Sequence, residues 1–597
     1  MMKRYLIPAT PLAAMLLLTG CMDNNYDLAN IDTTSKLNVN GLIVPVNANP
    51  LTLDDVMDAE DYTAGTSGKL VKYGTGDSQF YAYIYDGTFE SENITIDSFE
   101  VVPSRMDDSK VRISLTAPAS QAGMRAASSG IAYEIHRTPN VFNYDINNVD
   151  ESVKSIVKLR TPSVTFSIQL LFPSDIVADA SRILVQNLRI SFPKELYMAD
   201  GTPAKVKDNL GVYDPATGIL TVSDHELVNG RLDLQLEAQL LTTDTPVVDN
   251  TFKYEGEMTV EDGILVLEPK SDTDFPSEFF ADSQYDLGQF DVTNFSGNIE
   301  YDLDGFDLED VSMNDLPDFL SGEGTSIVLA DPQLYLQMTN PAATYGMSAK
   351  TGLSLTPVRN DIDGDVISLD PATPITMGHD NGSGPYNFLV APDPSKITPL
   401  STYPNPTGYS MPGLSYILAG DGMPQALKVN LDSPAPQAYG YPAEDLPLPT
   451  NINKVDGKYT FFAPLTLGAG TEIYYRETKN DWNAEDLKDI HVNEMIVTAT
   501  ATSNIPFDVD LYLDVLDPDG NVIGKGSILV PAGVVTALDI KVLPISGKDE
   551  IVNIGGIKYI ASCIVKNGSD KPLYPEQSIV LENIRAKLTG YYLYQED

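Results

Sequence analysis

The chain has 597 residues, with 42% hydrophobic and 20% charged residues, a globular composition that excludes an intrinsically disordered protein. At about 150 residues per domain, this length predicts two to four domains. The chain is strongly acidic, since 38 Lys and Arg stand against 84 Asp and Glu, for a net charge of −46. A field of that sign repels phosphate groups, so we expect no nucleic-acid partner.

Residues 1–20 have the pattern of a secretory signal peptide. A basic start at Lys3 and Arg4 precedes an apolar run that is shorter than the ~20 residues of a membrane-spanning helix. The run ends at Leu18-Thr19-Gly20-Cys21, which resembles the bacterial lipobox. The resemblance implies cleavage before Cys21 and lipidation of its sulfur, and two or more acyl chains would anchor the protein stably in a membrane. The alternative is an ordinary signal peptide with a chance cysteine.

Residues 21–50 are predicted to form the lipid anchor and a tether. Within them, the stretch Tyr26-Asp27-Leu28 through Ile31-Asp32-Thr33-Thr34 resembles the start of a broad group of Bacteroidales cell-surface lipoproteins. Asp23, close behind the cysteine, is similar to the acidic export signal of such lipoproteins. The resemblance implies a location, the outer membrane with the protein facing outward, and no particular activity. The group includes glycan-binding and adhesin-like proteins.

The rest of the chain is dominated by apolar residues at every second position. The stretches 232–240 and 507–515 show this alternation, which is typical of strands with one buried and one solvated face. Asp517-Pro518-Asp519-Gly520 predicts a hairpin turn between two such strands. Helical patterns are short, at 53–60, 310–320 and 484–490. We therefore predict an all-β protein of tandem antiparallel β-sandwich, immunoglobulin-like domains with a few short helices.

The polar stretch 271–276 is the clearest candidate boundary between domains. It predicts a first β domain over 51–275 and a second over 276–482, the latter with long Pro-, Gly- and Tyr-rich loops. A C-terminal β-sandwich domain is expected over 483–597.

Catalytic motifs are scarce, so we predict a protein that is not an enzyme and has no catalytic residues. The four histidines, His136, His225, His379 and His491, are scattered, and no Gly-x-Ser-x-Gly elbow is present. Cys563 lies in a strand-like segment and is expected to be a buried structural thiol. Two facing carboxylates are all that a glycosidase needs, and with 84 acidic residues the sequence leaves that alternative open.

An acidic segment suggests a structural calcium ion, although no other cofactor is expected. Asp361, Asp363 and Asp365 are spaced two apart, with Asp370 beyond them, and calcium takes six to eight oxygen ligands. The favoured interpretation is a polar hairpin tip with Asp-Gly turn chemistry.

The aromatic loops of the second domain are the best candidates for ligand binding. Tyr403, Tyr409 and Tyr416 lie in the proline-rich stretch, and Trp482 follows it. Such rings can stack on sugar faces or anchor a protein partner. The alternative is that they fold inward and cover a sheet edge.

These features predict a non-enzymatic, surface-exposed outer-membrane lipoprotein that acts as a binding or structural ectodomain. Its partners would be the membrane, through the lipid on Cys21, and an extracellular glycan or protein. Three alternatives remain open. A polysaccharide-binding protein of a glycan-uptake system predicts clustered exposed aromatic rings. A pilus-like subunit predicts a removable terminal strand or an exposed sheet edge. A glycosidase predicts two carboxylates in a cleft, one with a raised pKa.

Overall fold

The computed structural model describes residues 35–45, 51–106, 110–118, 130–270, 274–302, 308–313, 316–322, 324–380, 382–431, 437–440, 442–479, 489–569 and 571–594. Cys21, the proposed lipidation site, and Trp482, a proposed ligand contact, lie outside these residues.

Strands dominate the described chain, which confirms the predicted all-β class. The strands of the first half are β1 Ser35–Pro45, β2 Leu51–Thr52, β3 Glu60–Asp61, β4 Lys69–Tyr73, β5 Phe80–Glu90, β6 Ile94–Ile96, β7 Glu100–Met106, β8 Lys110–Thr116, β9 Ile131–Ile135, β10 Val141–Asn147, β11 Val153–Leu171, β12 Ala180–Ser191, β13 Leu196–Tyr197, β14 Lys205–Val206, β15 Gly211–Asp214, β16 Ile219–Val222, β17 His225–Glu226, β18 Arg231–Pro246, β19 Thr251–Glu257, β20 Thr259–Pro269, β21 Glu278–Leu287, β22 Phe290–Asp291 and β23 Asn294–Asp302.

The remaining strands belong to the second half of the described chain. They are β24 Val311–Ser312, β25 Gln333–Met338, β26 Met347–Thr351, β27 Ser354–Arg359, β28 Ile362–Asp363, β29 Ile367–Ser368, β30 Ile375–Met377, β31 Tyr386–Ala391, β32 Thr407–Ser410, β33 Ala426–Asn430, β34 Gln437–Gly440, β35 Ala443–Pro447, β36 Thr450–Ile452, β37 Asp456–Pro464, β38 Glu472–Lys479, β39 Ile490–Ser503, β40 Val509–Leu516, β41 Val522–Val530, β42 Val535–Pro544, β43 Gly556–Ile564 and β44 Ser578–Tyr594.

The α-helices of the described chain are short: α1 Leu53–Met57, α2 Ser174–Asp179 and α3 Asp318–Ser321. The Thr52 side chain caps α1 by accepting a hydrogen bond from the Asp55 N–H at 3.1 Å, and Asp58 ends it in the left-handed conformation. The helix predicted over 310–320 is wrong in its first part, because Val311–Ser312 pairs with β33 as a strand. None of these helices is both long and apolar enough to cross a membrane.

The alternation read from the sequence corresponds to buried and exposed faces. In β18, Leu232, Leu234, Leu236 and Ala238 are buried while their neighbours face outward. In β40, Val509, Leu513 and Val515 are buried as expected, but Asp514 and Leu516, on the alternate positions, are buried as well. The buried β18 side chains belong to a main hydrophobic cluster that extends from Met57 to Leu573, whereas Val509, Leu513 and Val515 of β40 belong to separate clusters.

The predicted division at 275/276 runs through shared sheets. β11 pairs with β21 and β23, and β23 in turn pairs with β35. In another sheet, β5 pairs with β37. Strands from 51–275 and 276–482 therefore share the same backbone hydrogen-bond ladders.

The C-terminal sandwich is one continuous sheet in the order β1-β44-β39-β42-β41-β40-β43-β38, in which β41 pairs with β42. The sheet folds over on itself, because Met495 of β39 and Leu588 of β44 pack in one cluster with Leu513 of β40 and Ile557 of β43. β1 covers the outer edge of β44, from Ser35 opposite Tyr594 to Pro45 opposite Arg585.

A further sheet, in the order β3-β4-β5-β37-β25-β31-β32, positions the candidate site. Alternate residues of its strands face opposite sides. One face, including Tyr83, Leu336 and Phe461, packs into the main cluster. The other face, including Ile84, Tyr335 and Phe462, forms a separate cluster with Tyr403. Backbone ladders thus fix the positions of the rings described next.

Candidate binding groove

Four aromatic rings meet on the outer face of this sheet, around Tyr73 of β4. The Tyr73 ring centroid lies 5.0 Å from that of Tyr62, 5.6 Å from Phe80 and 5.0 Å from Phe462. Tyr62, Tyr73 and Phe80 are only partly buried, whereas Phe462 is 4% exposed. Tilted and edge-on contacts of this kind stabilise aromatic clusters beyond the area that they bury.

The segment 392–406 lies across this face and is held by polar contacts. Tyr403 stacks on Tyr335 with ring centroids 5.0 Å apart, and its hydroxyl is 2.7 Å from that of Thr460. The Tyr335 hydroxyl accepts a hydrogen bond from the Leu400 N–H at 3.2 Å and donates one to the Gln333 Oε1 at 2.7 Å. Burial raises the pKa of Tyr335 to about 12 and also raises the pKa of Tyr403. Both phenols are therefore neutral at physiological pH.

A groove follows the edge of this segment on both sides of Leu400 and Ser401. We call its two parts the Tyr62 lobe, a cleft of about 440 Å³, and the Asp331 lobe, a cleft of about 840 Å³. Tyr73, Phe462, Leu400 and Ser401 line both lobes. Each volume lies within the range of about 300–1,000 Å³ typical of small-molecule sites.

The two lobes contain different polar side chains. The Tyr62 lobe contains Asp86, Glu309, Lys458 and Thr460. The Asp331 lobe contains Asp77, Asp331, Gln333, Lys396, Lys571, Tyr574 and Glu576.

Asp331 is the most distinctive of these groups. Its side chain is partly buried, and that burial raises the pKa of its carboxyl, an effect opposed by the charge of Lys396. Lys396 itself pairs with Asp393 at 2.7 Å. Among the described residues, none donates a hydrogen bond to the Asp331 carboxylate, which leaves its oxygens available to a bound molecule. The groove can therefore offer rings to an apolar face and a carboxylate to a hydroxyl.

Of the three predicted ligand-binding residues that the structure describes, one lies in the groove. Tyr403 lines it but is 2% exposed, so its ring supports the wall and does not protrude as expected. Tyr409 is partly buried against Phe388, and its hydroxyl accepts a hydrogen bond from the Thr376 N–H at 3.2 Å. Tyr416 is 60% exposed and is not among the residues that line either lobe.

Sequence reasoning missed the partly exposed rings of the groove, which are Tyr62, Tyr73, Phe80 and Tyr574. These residues are separated by up to 512 positions in the sequence. The local sequence signal that could have found two of them is the glycine-containing turn between β4 and β5, which Tyr73 and Phe80 flank. Their common face becomes evident only once β4, β5 and β37 are paired.

The acidic segment forms a hairpin. Asn360 and Asp361 have φ of 50° and 60° between the paired residues Arg359 and Ile362, the conformation of a tight two-residue turn. Asp363 pairs with Lys428 at 2.7 Å, and Asp370 accepts a hydrogen bond from the Ala372 N–H at 2.9 Å.

These contacts give the predicted metal ligands other roles. Asp361 forms the turn, while Asp363 and Asp370 interact with protein donors, and Asp365 is exposed. Across the described residues, no group of three or more His, Cys, Asp or Glu is arranged to hold a metal ion. The favoured turn interpretation agrees with this geometry.

Cys563 is buried, as expected for a structural thiol. Its side chain is 7% exposed, and burial raises the pKa of the thiol to about 12. A thiol with that pKa is protonated at neutral pH and is a poor nucleophile.

Comparisons with known proteins add little to the geometry. No protein-family model matches the chain, and no curated protein matches it. Among solved structures, the chain is similar to a protein from Parabacteroides distasonis that is inferred to be secreted. The match has a TM-score of 0.33 and 15% identity, and it covers 50% of this chain and 90% of that chain.

Proposed function

We propose that this chain is a non-enzymatic lipoprotein of the outer-membrane surface that binds an extracellular glycan. The signal-like N-terminus and Cys21 support the location. The observation that carries the binding function is the groove. Its lining includes the partly exposed rings of Tyr62, Tyr73 and Phe80 and a partly buried carboxylate, Asp331, that has no donor among the described residues. Sugars present both apolar C–H faces and hydroxyl groups, which such a lining matches.

Membrane attachment is tested by Cys21→Ala in the full chain. Loss of the lipid should move the protein from the membrane fraction to the soluble fraction. A Cys21→Ala variant that stays with the membrane fraction would show that the anchor is not the lipid on this residue.

Ligand binding is tested by thermal unfolding of the mature chain, residues 22–597, against a panel of polysaccharides. A ligand that binds only the folded state raises the unfolding midpoint by mass action. We expect a glycan to raise the midpoint of the unmodified chain and of Tyr416→Ala, but not that of Tyr73→Ala. Tyr416 is the matched control, because it is an exposed tyrosine outside the groove. An equal shift in all three proteins would place the glycan elsewhere.

The raised pKa of Asp331 favours a glycosidase as the second candidate function, since a general acid needs such a group. If the protein binds glycans without hydrolysing them, no reducing ends should be released from any glycan that binds. Hydrolysis that disappears in Asp331→Asn would establish the glycosidase instead.

A further inference from the structure

We propose that the groove takes an extended, uncharged polysaccharide that lies across both lobes, in preference to a chain end, a single sugar or a polyanion. This inference rests on the proposed glycan-binding function and specifies its ligand.

Continuity of the lining argues for an extended ligand. Tyr73, which is partly exposed, and Ser401, which is exposed, line both lobes, so a chain that contacts them can continue into either lobe. The residues that line only the Tyr62 lobe include the exposed Glu309 and Lys458, and those that line only the Asp331 lobe include the exposed Lys571 and Glu576. Exposed side chains in each lobe leave both lobes open to solvent, so a polymer can enter and leave.

The partly exposed aromatic rings are distributed along this path. Tyr62 lines only the Tyr62 lobe, and Phe80 and Tyr574 line only the Asp331 lobe. Rings spaced along a groove offer successive stacking surfaces to successive sugar units. Binding energy should therefore accumulate with chain length until both lobes are occupied.

Charge argues against an anionic polymer. Among the described lining residues, the carboxylates are Asp77, Asp86, Glu309, Asp331 and Glu576, and the cations are Lys396, Lys458 and Lys571. The surplus of carboxylates lies in a chain whose net charge is −46. Carboxylate or sulfate groups on a glycan would be repelled at this surface. Hydroxyl groups, in contrast, can donate to the free oxygens of Asp331.

The test uses the mature chain, residues 22–597, and measures dissociation constants for neutral and anionic polysaccharides and for size-graded oligosaccharides of the neutral polymer that binds. Three variants are compared: Tyr62→Ala in one lobe, Tyr574→Ala in the other and Tyr416→Ala as control. All three tyrosines are at least partly exposed, and unchanged thermal midpoints without ligand would verify that the variants fold.

We expect each lobe variant to weaken binding of the long neutral chain by about tenfold, the loss of a useful stacking contact. The shortest oligosaccharide that binds should respond to only one of the two lobe variants, and Tyr416→Ala should change neither. Anionic polymers should bind more weakly than the neutral chain, with an affinity that increases as salt screens the repulsion.

Two results would overturn the inference while leaving the glycan-binding function intact. One is an affinity for the long chain that depends on a single lobe and does not grow with length. The other is a preference for an anionic or cationic polymer. Failure of every glycan to bind would instead contradict the proposed function itself.

Discussion

Glu550 links a histidine and a tyrosine at the end of the C-terminal sandwich. Its carboxylate accepts hydrogen bonds from the Tyr591 hydroxyl at 2.7 and 2.8 Å and lies 2.7 Å from the His491 Nδ1. The His491 ring stacks on the Tyr591 ring with centroids 4.8 Å apart, and the Lys36 Nζ of β1 also lies over the Tyr591 ring, 4.4 Å from its centroid. The hydrogen bonds from Tyr591 and then His491 lower the pKa of Glu550.

That lowered pKa predicts a stability contribution that depends on pH. Because the folded pKa is below the unfolded value of about 4.3, the contribution is present above that value and is lost as pH falls through the folded pKa. Glu550→Gln mimics the protonated side chain. The thermal midpoint of the unmodified chain should therefore exceed that of Glu550→Gln at pH 7, and the two should converge below about pH 4. A gap that stays constant from pH 7 to pH 3 would contradict the assigned role of the charge.

Gly87 predicts a second effect at the residue scale. It lies directly opposite Tyr459 in the β5–β37 pairing, and a Cβ at this position would overlap the Tyr459 ring. Gly87→Ala should therefore reduce the free energy of unfolding by about 1–3 kcal/mol, the usual cost of overpacking. Gly378→Ala is the control, because a Cβ there meets no atom within 4 Å. Urea unfolding of both variants measures this loss of stability. Equal reductions in the free energy of unfolding would show that overlap with the Tyr459 ring is not the cause.

Individual elements could be predicted from the sequence much better than their partners. The hairpin turn at 517–520 forms as expected between β40 and β41, since Asp517 accepts hydrogen bonds from the N–H groups of Asp519 and Asn521 and Gly520 has φ of 86°. Alternation predicted β18 and β40 because it reflects one buried face. It carries no information about which strand pairs with which, and β5 and β37 pair across more than 360 positions.

The candidate site was only partly predicted for the same reason: local sequence patterns do not show which distant residues come into contact. Of the aromatic residues predicted from the proline-rich stretch, Tyr403 lines the groove. The Tyr403 hydroxyl lies within hydrogen-bond distance of the Thr460 hydroxyl, and the Tyr403 ring stacks on Tyr335. Both partners are distant in the chain, and these contacts bury Tyr403. The partly exposed rings instead come from the residue after β3, from β4, from the start of β5 and from the segment before β44. A local pattern cannot show which of many tyrosines finds such partners.

β1 yields a prediction at the element scale. It covers the edge of β44, and its own Leu37 and Ile43 are 66% and 58% exposed. Removal of residues 22–50 would leave the backbone groups of that edge unpaired, a template for pairing with another chain. We expect residues 51–597 to self-associate with increasing concentration in light scattering. A peptide of residues 35–45 should reverse this, and a scrambled peptide should not.

A monomeric 51–597 fragment at every concentration would show that the edge of β44 does not need β1. Reversible association, in contrast, would provide the removable terminal strand that the pilus-like alternative requires. The measurement therefore also bears on that alternative.

At the scale of the whole molecule, residues 51–275 and 276–482 are interdependent. β11 loses β21 and β23 if the chain is divided at 275/276, and β5 loses β37. Buried residues of both segments also belong to one cluster. We expect neither segment to show a cooperative thermal transition by circular dichroism when expressed alone, whereas the chain 22–597 should. A cooperative transition in the isolated 51–275 segment would show that the shared ladders are dispensable.

The pairing of Ser35 with Tyr594 has a mechanical consequence for an anchored protein. Thirteen residues lie between Cys21 and Ser35, and the fourteen steps from Cys21 to Ser35, at about 3.5 Å each, span at most about 50 Å. Tension between the proposed lipid and a bound polymer would thus enter the body at Ser35 and act along β1. Antiparallel hydrogen bonds are perpendicular to the strands, so this pull would shear the whole β1–β44 ladder at once and would not peel it open bond by bond. The strand that closes a sheet edge would then also resist extraction of the protein by flow.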